Sequence, residues 1–258
     1  MAEHLRLAKT DAPPEPGGFV MTETAQDILR SVTLVRQMGG AALTMIAGAP
    51  GVGKSQALEH YRRTHGMDCL YIQAVCAEGT PWNFAQSLKR KWRGGVDFRT
   101  VQEARELFAH AIGPNCLLIV DEAQYLNQKN RRTGKSGEAF EWVRGMAETG
   151  GFPVVLCGDL TLEATVATMP QLQSRMRRPV VLRRANPKDV HAIAKTEGFH
   201  DPSALRALEG VARHRGGLRN VENVMRVARM FAAGAAPNLT HLKAAIMDMK
   251  LAPVGAVE

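Results

Sequence analysis

The octapeptide Gly48-Ala49-Pro50-Gly51-Val52-Gly53-Lys54-Ser55 constrains this chain more than any other stretch. It reads GxxxxGKS, follows the apolar run 41–47 and leads into a helix-like stretch that begins at Gln56 and ends near Arg63. A strand, a glycine-rich loop and a helix in that order form a phosphate cradle. The glycines let successive backbone N–H groups turn inward around a β-phosphate, and the helix adds its positive N-terminal end. In such a cradle Lys54 reaches the β- and γ-phosphates, and Ser55 offers its hydroxyl to Mg²⁺. A nucleoside triphosphate site is therefore expected over Gly48 to Gln56.

The chain has 258 residues, room for one large domain or a core with a small satellite. Only 5% of it is aromatic, which argues against a base-stacking, single-strand-binding surface. No apolar run approaches the ~20 residues of a membrane span, and Glu3, Arg6, Lys9 and Asp11 interrupt any leader-like segment. Cytoplasm is the expected compartment. The four cysteines lack CxxC spacing and the eight histidines form no HExxH pattern, so small buried thiols are expected and no zinc site. The net charge is +8. Its distribution says more, in three acid-free clusters: Lys89, Arg90, Lys91 and Arg93; Lys129, Arg131, Arg132 and Lys135; and the arginines and lysine from Arg175 to Lys188. Each alone reads as a solvated face; together, beside a phosphate loop, they favour nucleic acid.

Along the chain, an irregular Pro/Gly-rich arm (1–18) is followed by helical spacing over 22–38, with Thr24 or Thr22 as the cap. Apolar runs over 69–75, 116–121, 152–157 and 180–182 read as further strands, alternating with helical stretches such as 80–93 and 100–112. That alternation predicts an α/β class with a parallel sheet flanked by helices. After about residue 185 the pattern is helical throughout (187–195, 201–213, 218–231 and 239–249). The expected organisation is an arm (1–18), a nucleotide-binding core (19–185), a small all-helical lid (186–250) and a tail (251–258).

Asp121 and Glu122 end a buried strand downstream of the loop, where Asp121 would hold Mg²⁺ and Glu122 would polarise the attacking water. The following Ala123-Gln124 completes the string DEAQ, but a two-core helicase needs far more chain. Asp159 follows the next strand; it either lies between these acids and the γ-phosphate or caps the helix after it. Arg175 and Arg178 precede the last strand, where one of them would enter a neighbouring subunit's nucleotide or else contact DNA phosphates. Arg219, after Gly216-Gly217, either reaches the γ-phosphate from the lid or is a surface residue.

In this order the parts resemble the AAA+ ATPase family, and more narrowly the B transposition proteins of Mu-type phages. The narrower signal is the Pro-rich lead-in Pro14-Glu15-Pro16-Gly17-Gly18-Phe19-Val20 with Glu23-Thr24, Tyr61-Arg62-Arg63-Thr64 after the loop, Ser174-Arg175-Met176 and Gly217-Leu218-Arg219. The resemblance implies a Mg²⁺-dependent ATPase that binds double-stranded DNA without sequence preference. It implies a homo-oligomer, a helical filament or ring with ATP at subunit interfaces, that presents target DNA to a DDE transposase and activates it. Phe19, Val20 and Thr24 would border the adenine, and Lys89, Lys129, Arg131 and Arg132 would follow the DNA backbone. Two departures are expected: no helix-turn-helix domain precedes the Pro-rich lead-in, and Asp159 replaces an Asn, which would slow hydrolysis. The alternative is a helicase-loader or replication-initiator ATPase working through a protein partner.

Overall fold

Strands β1 (Leu43–Gly48), β2 (Cys69–Gln73), β3 (Leu117–Asp121), β4 (Val154–Gly158) and β5 (Val180–Leu182) form one parallel sheet in the order β2-β3-β4-β1-β5. The computed structural model describes residues 18–92, 97–129 and 134–252. The arm before Gly18, Arg93, Arg131 and Arg132 lie outside the described residues.

Central strands β1, β3 and β4 are buried along their whole length because helices cover both faces. Their side chains alternate between two cores. Leu118 and Val120 of β3 join Met45, Val154 and Leu156 beneath α3 (Pro81–Lys91), α4 (Val101–Ile112) and α5 (Glu138–Gly150). Leu117 and Ile119 join Ile46, Val155 and Cys157 beneath α1 (Glu23–Met38) and α2 (Lys54–His65). This is the two-residue period of a strand read out on a three-layer sandwich. Thr22, not Thr24, caps α1, accepting the Ala25 N–H at 3.1 Å. Thr80 and Thr100 cap α3 and α4 in the same way. Helix α5 was not anticipated from the sequence. Of the cysteines, Cys69 and Cys157 are buried as expected, whereas Cys76 is exposed. Among the described residues no helix is long and apolar enough to cross a membrane, and no group of three or more His, Cys, Asp or Glu could hold a metal ion.

After α6 (Thr161–Ala167), α7 (Pro170–Gln173) and β5, the elements among the described residues are helices: α8 (Pro187–Thr196), α9 (Pro202–Ala212), α10 (Gly217–Phe231) and α11 (Leu239–Asp248). They enclose their own core of Val190, Leu208, Val221, Val224, Ala228 and Leu242. The start of α8 docks on the start of α1: Lys188 pairs with Glu23 at 2.9 Å and Asn186 donates to Glu23 at 3.2 Å. Between them Asp189 is buried, its Oδ1 accepting the Thr24 N–H at 3.4 Å and its Oδ2 without a hydrogen-bond partner among the described residues.

Burial raises the pKa of the Asp189 carboxyl. The folded state thus favours its protonated form. The stability this contributes is full below the unfolded value, about 3.9, and is lost as pH rises through the raised folded value. Asp189→Asn keeps an acceptor without the charge. Its melting temperature relative to wild type is expected to climb between about pH 4 and neutrality; a constant difference across that range, measured by calorimetry, would remove the effect.

Candidate nucleotide-binding site

The phosphate loop after β1 and the residues that follow β3 and β4 leave the carboxyl ends of the parallel strands, the edge where α/β sheets bind ligands. The phosphate loop turns from β1 into α2 through two left-handed glycines, Gly51 (φ 74°) and Gly53 (φ 92°). Helix α2 has no side-chain cap, unlike α1, α3 and α4, and no acid in its first turn. Its first N–H groups and dipole are left for an anion. Lys54 Nζ folds back on the loop, donating to the carbonyls of Gly48 at 2.7 Å and Ala49 at 2.9 Å. The donor set and the bared helix end fit a triphosphate.

A cavity of about 230 Å³ sits on this loop and brings together Gly48, Pro50, Gly51, Gly53, Lys54, Ser55, Gln56, Glu122, Asp159 and Arg219, with Glu222 beside them. Ala49 and Val52 do not line it: the Ala49 N–H donates to Leu182 O at 2.8 Å, and Val52 is buried. A second cavity of about 570 Å³ is lined by Phe19 and Val20, by Gly53, Ser55 and Gln56, and by Ile193, Met225 and Arg226 of the lid. Phe19 is stacked on His60 of α2, ring centroids 4.0 Å apart. Half apolar and opening from the loop, this space has the size and character of a nucleoside site. Thr24 does not line it; its N–H is spent on Asp189.

Asp121 is almost wholly buried behind the cavity, outside its lining. Tyr71 donates to its Oδ2 at 2.6 Å and the Glu122 N–H to its Oδ1 at 2.9 Å. Burial, and then that carboxylate, push the Tyr71 phenol pKa well up, so it remains a donor. Glu122 turns out of β3 with φ 54°, a left-handed conformation that few non-glycine residues adopt. Asp159 Oδ1 accepts the Thr161 N–H at 2.9 Å and its hydroxyl at 2.5 Å. The carboxylate of Asp159 therefore both reaches the cavity wall and stabilises the start of α6.

The lid meets the phosphate loop directly. Leu218 N–H, at the start of α10, donates to Gly51 O at 2.8 Å, and a Cβ on Gly51 would lie 1.9 Å from Gly216 O. This contact delivers Arg219 and, one turn on, Glu222 to the cavity.

The arginine segment runs alongside β1, with Leu43 N–H donating to Arg175 O and Arg177 N–H to Leu43 O. Arg178 does not project from the chain: its guanidinium holds the Asp27 carbonyl at 3.0 Å and pairs with the Asp27 carboxylate. A fork already used twice on α1 is poorly placed to enter a neighbour's site. Arg175 pairs with Glu148, with its side chain 42% exposed. Lys89 pairs with Asp97 at 2.6 Å and lies over the Phe98 ring, while Lys129 is exposed; neither lines either cavity. Tyr71, Gln124, His60 and Glu222 were not picked out from the sequence. Glu222 was within reach, since it follows Arg219 by one helical turn.

A phosphate loop, a strand-end Asp-Glu pair, a five-stranded 2-3-4-1-5 sheet and a helical lid are the parts of a AAA ATPase. Residues 36–166, just over half of the chain, match the AAA domain family, and the chain belongs to it: it is an ATPase. Residues 174–249, spanning the arginine segment and the lid, match the family described as Mu B transposition protein, C terminal. The ATP-dependent target DNA activator B of Escherichia phage Mu is 27% identical over 251 residues, covering 92% of this chain and 75% of that protein. The activator B of Escherichia phage D108 matches at the same identity and coverage. Among solved structures, the ORC2 protein of Aeropyrum pernix in ADPNP and ADP complexes superposes with a TM-score of 0.65. It is 13% identical, over 93% of this chain and 70% of its own, a likeness of fold.

Proposed function

We propose that this ATPase assembles on duplex DNA in its ATP-bound state, delivers target DNA to a DDE transposase and activates it. The observation that carries the reading is the match of residues 174–249 to the Mu B C-terminal family, in a chain whose lid rests on the phosphate loop. The +8 charge is consistent with a polyanionic partner.

ATP would lie with its phosphates on Gly48 to Gln56 and its base near Phe19 and Val20, between α2 and the lid. Lys54 and Arg219 would hold the γ-phosphate. Ser55 and Asp121 suit Mg²⁺, a hard cation that keeps several waters and takes few protein oxygens; when bound it neutralises charge between the β- and γ-phosphates. Glu122 would take the proton of the attacking water. Arg175 is the better-placed residue to complete a neighbouring subunit's site, because its side chain is more exposed than that of Arg178, whose guanidinium holds both the carbonyl and the carboxylate of Asp27. Lys129, with Arg131, Arg132 and Lys89, would follow the DNA backbone.

Linkage supplies the logic: ATP favours assembly, and assembly multiplies weak phosphate contacts. With a fluorescent duplex and anisotropy as the readout, affinity is expected to fall at least tenfold when ATP is omitted, and to drop steeply with salt. Lys54→Ala should behave like wild type without ATP. Equal binding with and without nucleotide would overturn the reading.

A further inference from the structure

Gln124, two residues beyond Glu122, is used at both ends. Its Nε2 donates to Glu122 Oε2 at 2.5 Å, and its Oε1 accepts the backbone N–H of Asp159 at 3.1 Å. The amide orientation follows from its partners, since a carboxylate only accepts and an N–H only donates. The amide also rests on Gly158: a Cβ there would lie 2.5 Å from Gln124 Oε1. Strand β4 must end in glycine for the side chain to lie across it. One side chain thereby joins the carboxylate after β3 to the end of β4, where Asp159 holds the start of α6. The Glu122 backbone is fixed separately, by its N–H on Asp121.

We infer that Gln124 is a positioning residue for ATP hydrolysis, aiming the Glu122 carboxylate from the end of β4. The inference rests on the reading of Glu122 as the base. In the step concerned, the water oxygen bonds to the γ-phosphorus, its proton passes to Glu122, and the bond from the γ-phosphorus to the β–γ bridging oxygen breaks to leave ADP and phosphate. A donor on Oε2 fixes the rotation of the carboxylate and directs its other oxygen toward the water. Losing it leaves a carboxylate that is no longer aimed, and misplacement by ~1 Å can cost ~10²-fold.

The test is single-turnover hydrolysis of ATP with Mg²⁺ by the full chain across a wide pH range, for wild type, Gln124→Leu, Gln124→Glu and Glu122→Gln. Gln124→Leu should lower the rate by about ten- to a hundredfold with ATP affinity within about twofold. Gln124→Glu has the same shape but sets a second carboxylate against the first. It keeps an acceptor for the Asp159 N–H but offers no donor to Glu122, so its rate should fall as in Gln124→Leu, with ATP affinity again within about twofold. If Gln124→Leu fails to fold, the rate of Gln124→Glu still decides. Wild-type rates in these variants, with Glu122→Gln inactive, overturn the inference. Full activity in Glu122→Gln overturns instead the assignment of the base.

Discussion

Glu122→Gln is expected to lower ATP turnover by two or more orders of magnitude, the usual contribution of a positioned base being ~10²–10⁴-fold. ATP affinity should change little. The substitution keeps the size of the side chain, and its amide oxygen can still accept from Gln124 Nε2, as the carboxylate does at 2.5 Å. The left-handed backbone at residue 122 is set by the Asp121 contact and is untouched. What is lost is the capacity to take a proton. By the linkage proposed above, a chain that binds ATP but cannot cleave it should remain on DNA, so dissociation of the duplex should slow in step with the loss of turnover. Phosphate release and duplex off-rates measured on one preparation check both halves. Normal turnover would remove Glu122 from the role.

Much of this fold was legible because its strands are short, apolar and separated by helices with visible caps. Thr80, Thr100, Asn186, Asp201 and Asn238 each stand at the start of a helix and accept from its first turn. Helix α5 shows the limit of that signal. Its apolar residues Ala139, Phe140, Val143, Met146 and Ala147 keep helical spacing and are buried, but the helix begins at a left-handed glycine with no capping side chain and carries Gly145 within it. Tertiary burial against α4 outweighs weak local propensity there.

At the candidate site, the phosphate loop and Glu122 were legible since motif and strand end fix their neighbourhood. Residues that act through a neighbour were not. Tyr71 reaches Asp121 only because β2 lies beside β3 in register, Gln73 opposite Asp121. Gln124 reaches Asp159 only because β3 neighbours β4. The state of Arg178 was hidden for the same reason: Asp27, its partner, is remote in sequence. Charge clusters read along the chain overstate how many cations are free. Lys89, Arg175, Arg178, Arg183 and Lys188 all face carboxylates of this same chain.

Gly51→Ala is expected to uncouple the lid from the phosphate loop and to abolish measurable ATP binding, as Lys54→Ala should by removing the cation. Two costs fall on one atom. A Cβ at φ 74° is strained by roughly 1–2 kcal/mol, which by itself a protein of this size tolerates. The second cost is steric: that Cβ would lie 1.9 Å from the carbonyl oxygen of Gly216 and 2.7 Å from its carbon. Both are backbone atoms, so no rotamer relieves the contact and the loop and α10 must separate. Separation breaks the Leu218 N–H to Gly51 O bond and withdraws Arg219 and Glu222 from the cavity. Of these residues only Leu218 belongs to a core, that of the lid, and its side chain is unaltered, so each core should stay folded. Gly40→Ala carries a positive-φ cost without the clash, for its φ is 57° and nothing lies within 4 Å of its Cβ. A thermal shift assay discriminates. At ATP a hundredfold above Kd, wild type and Gly40→Ala should be stabilised by ~2.7 kcal/mol, a rise of roughly 5–10 °C, and Gly51→Ala by none. An ATP-dependent shift of wild-type size in Gly51→Ala would mean that the lid contact is dispensable for ATP binding.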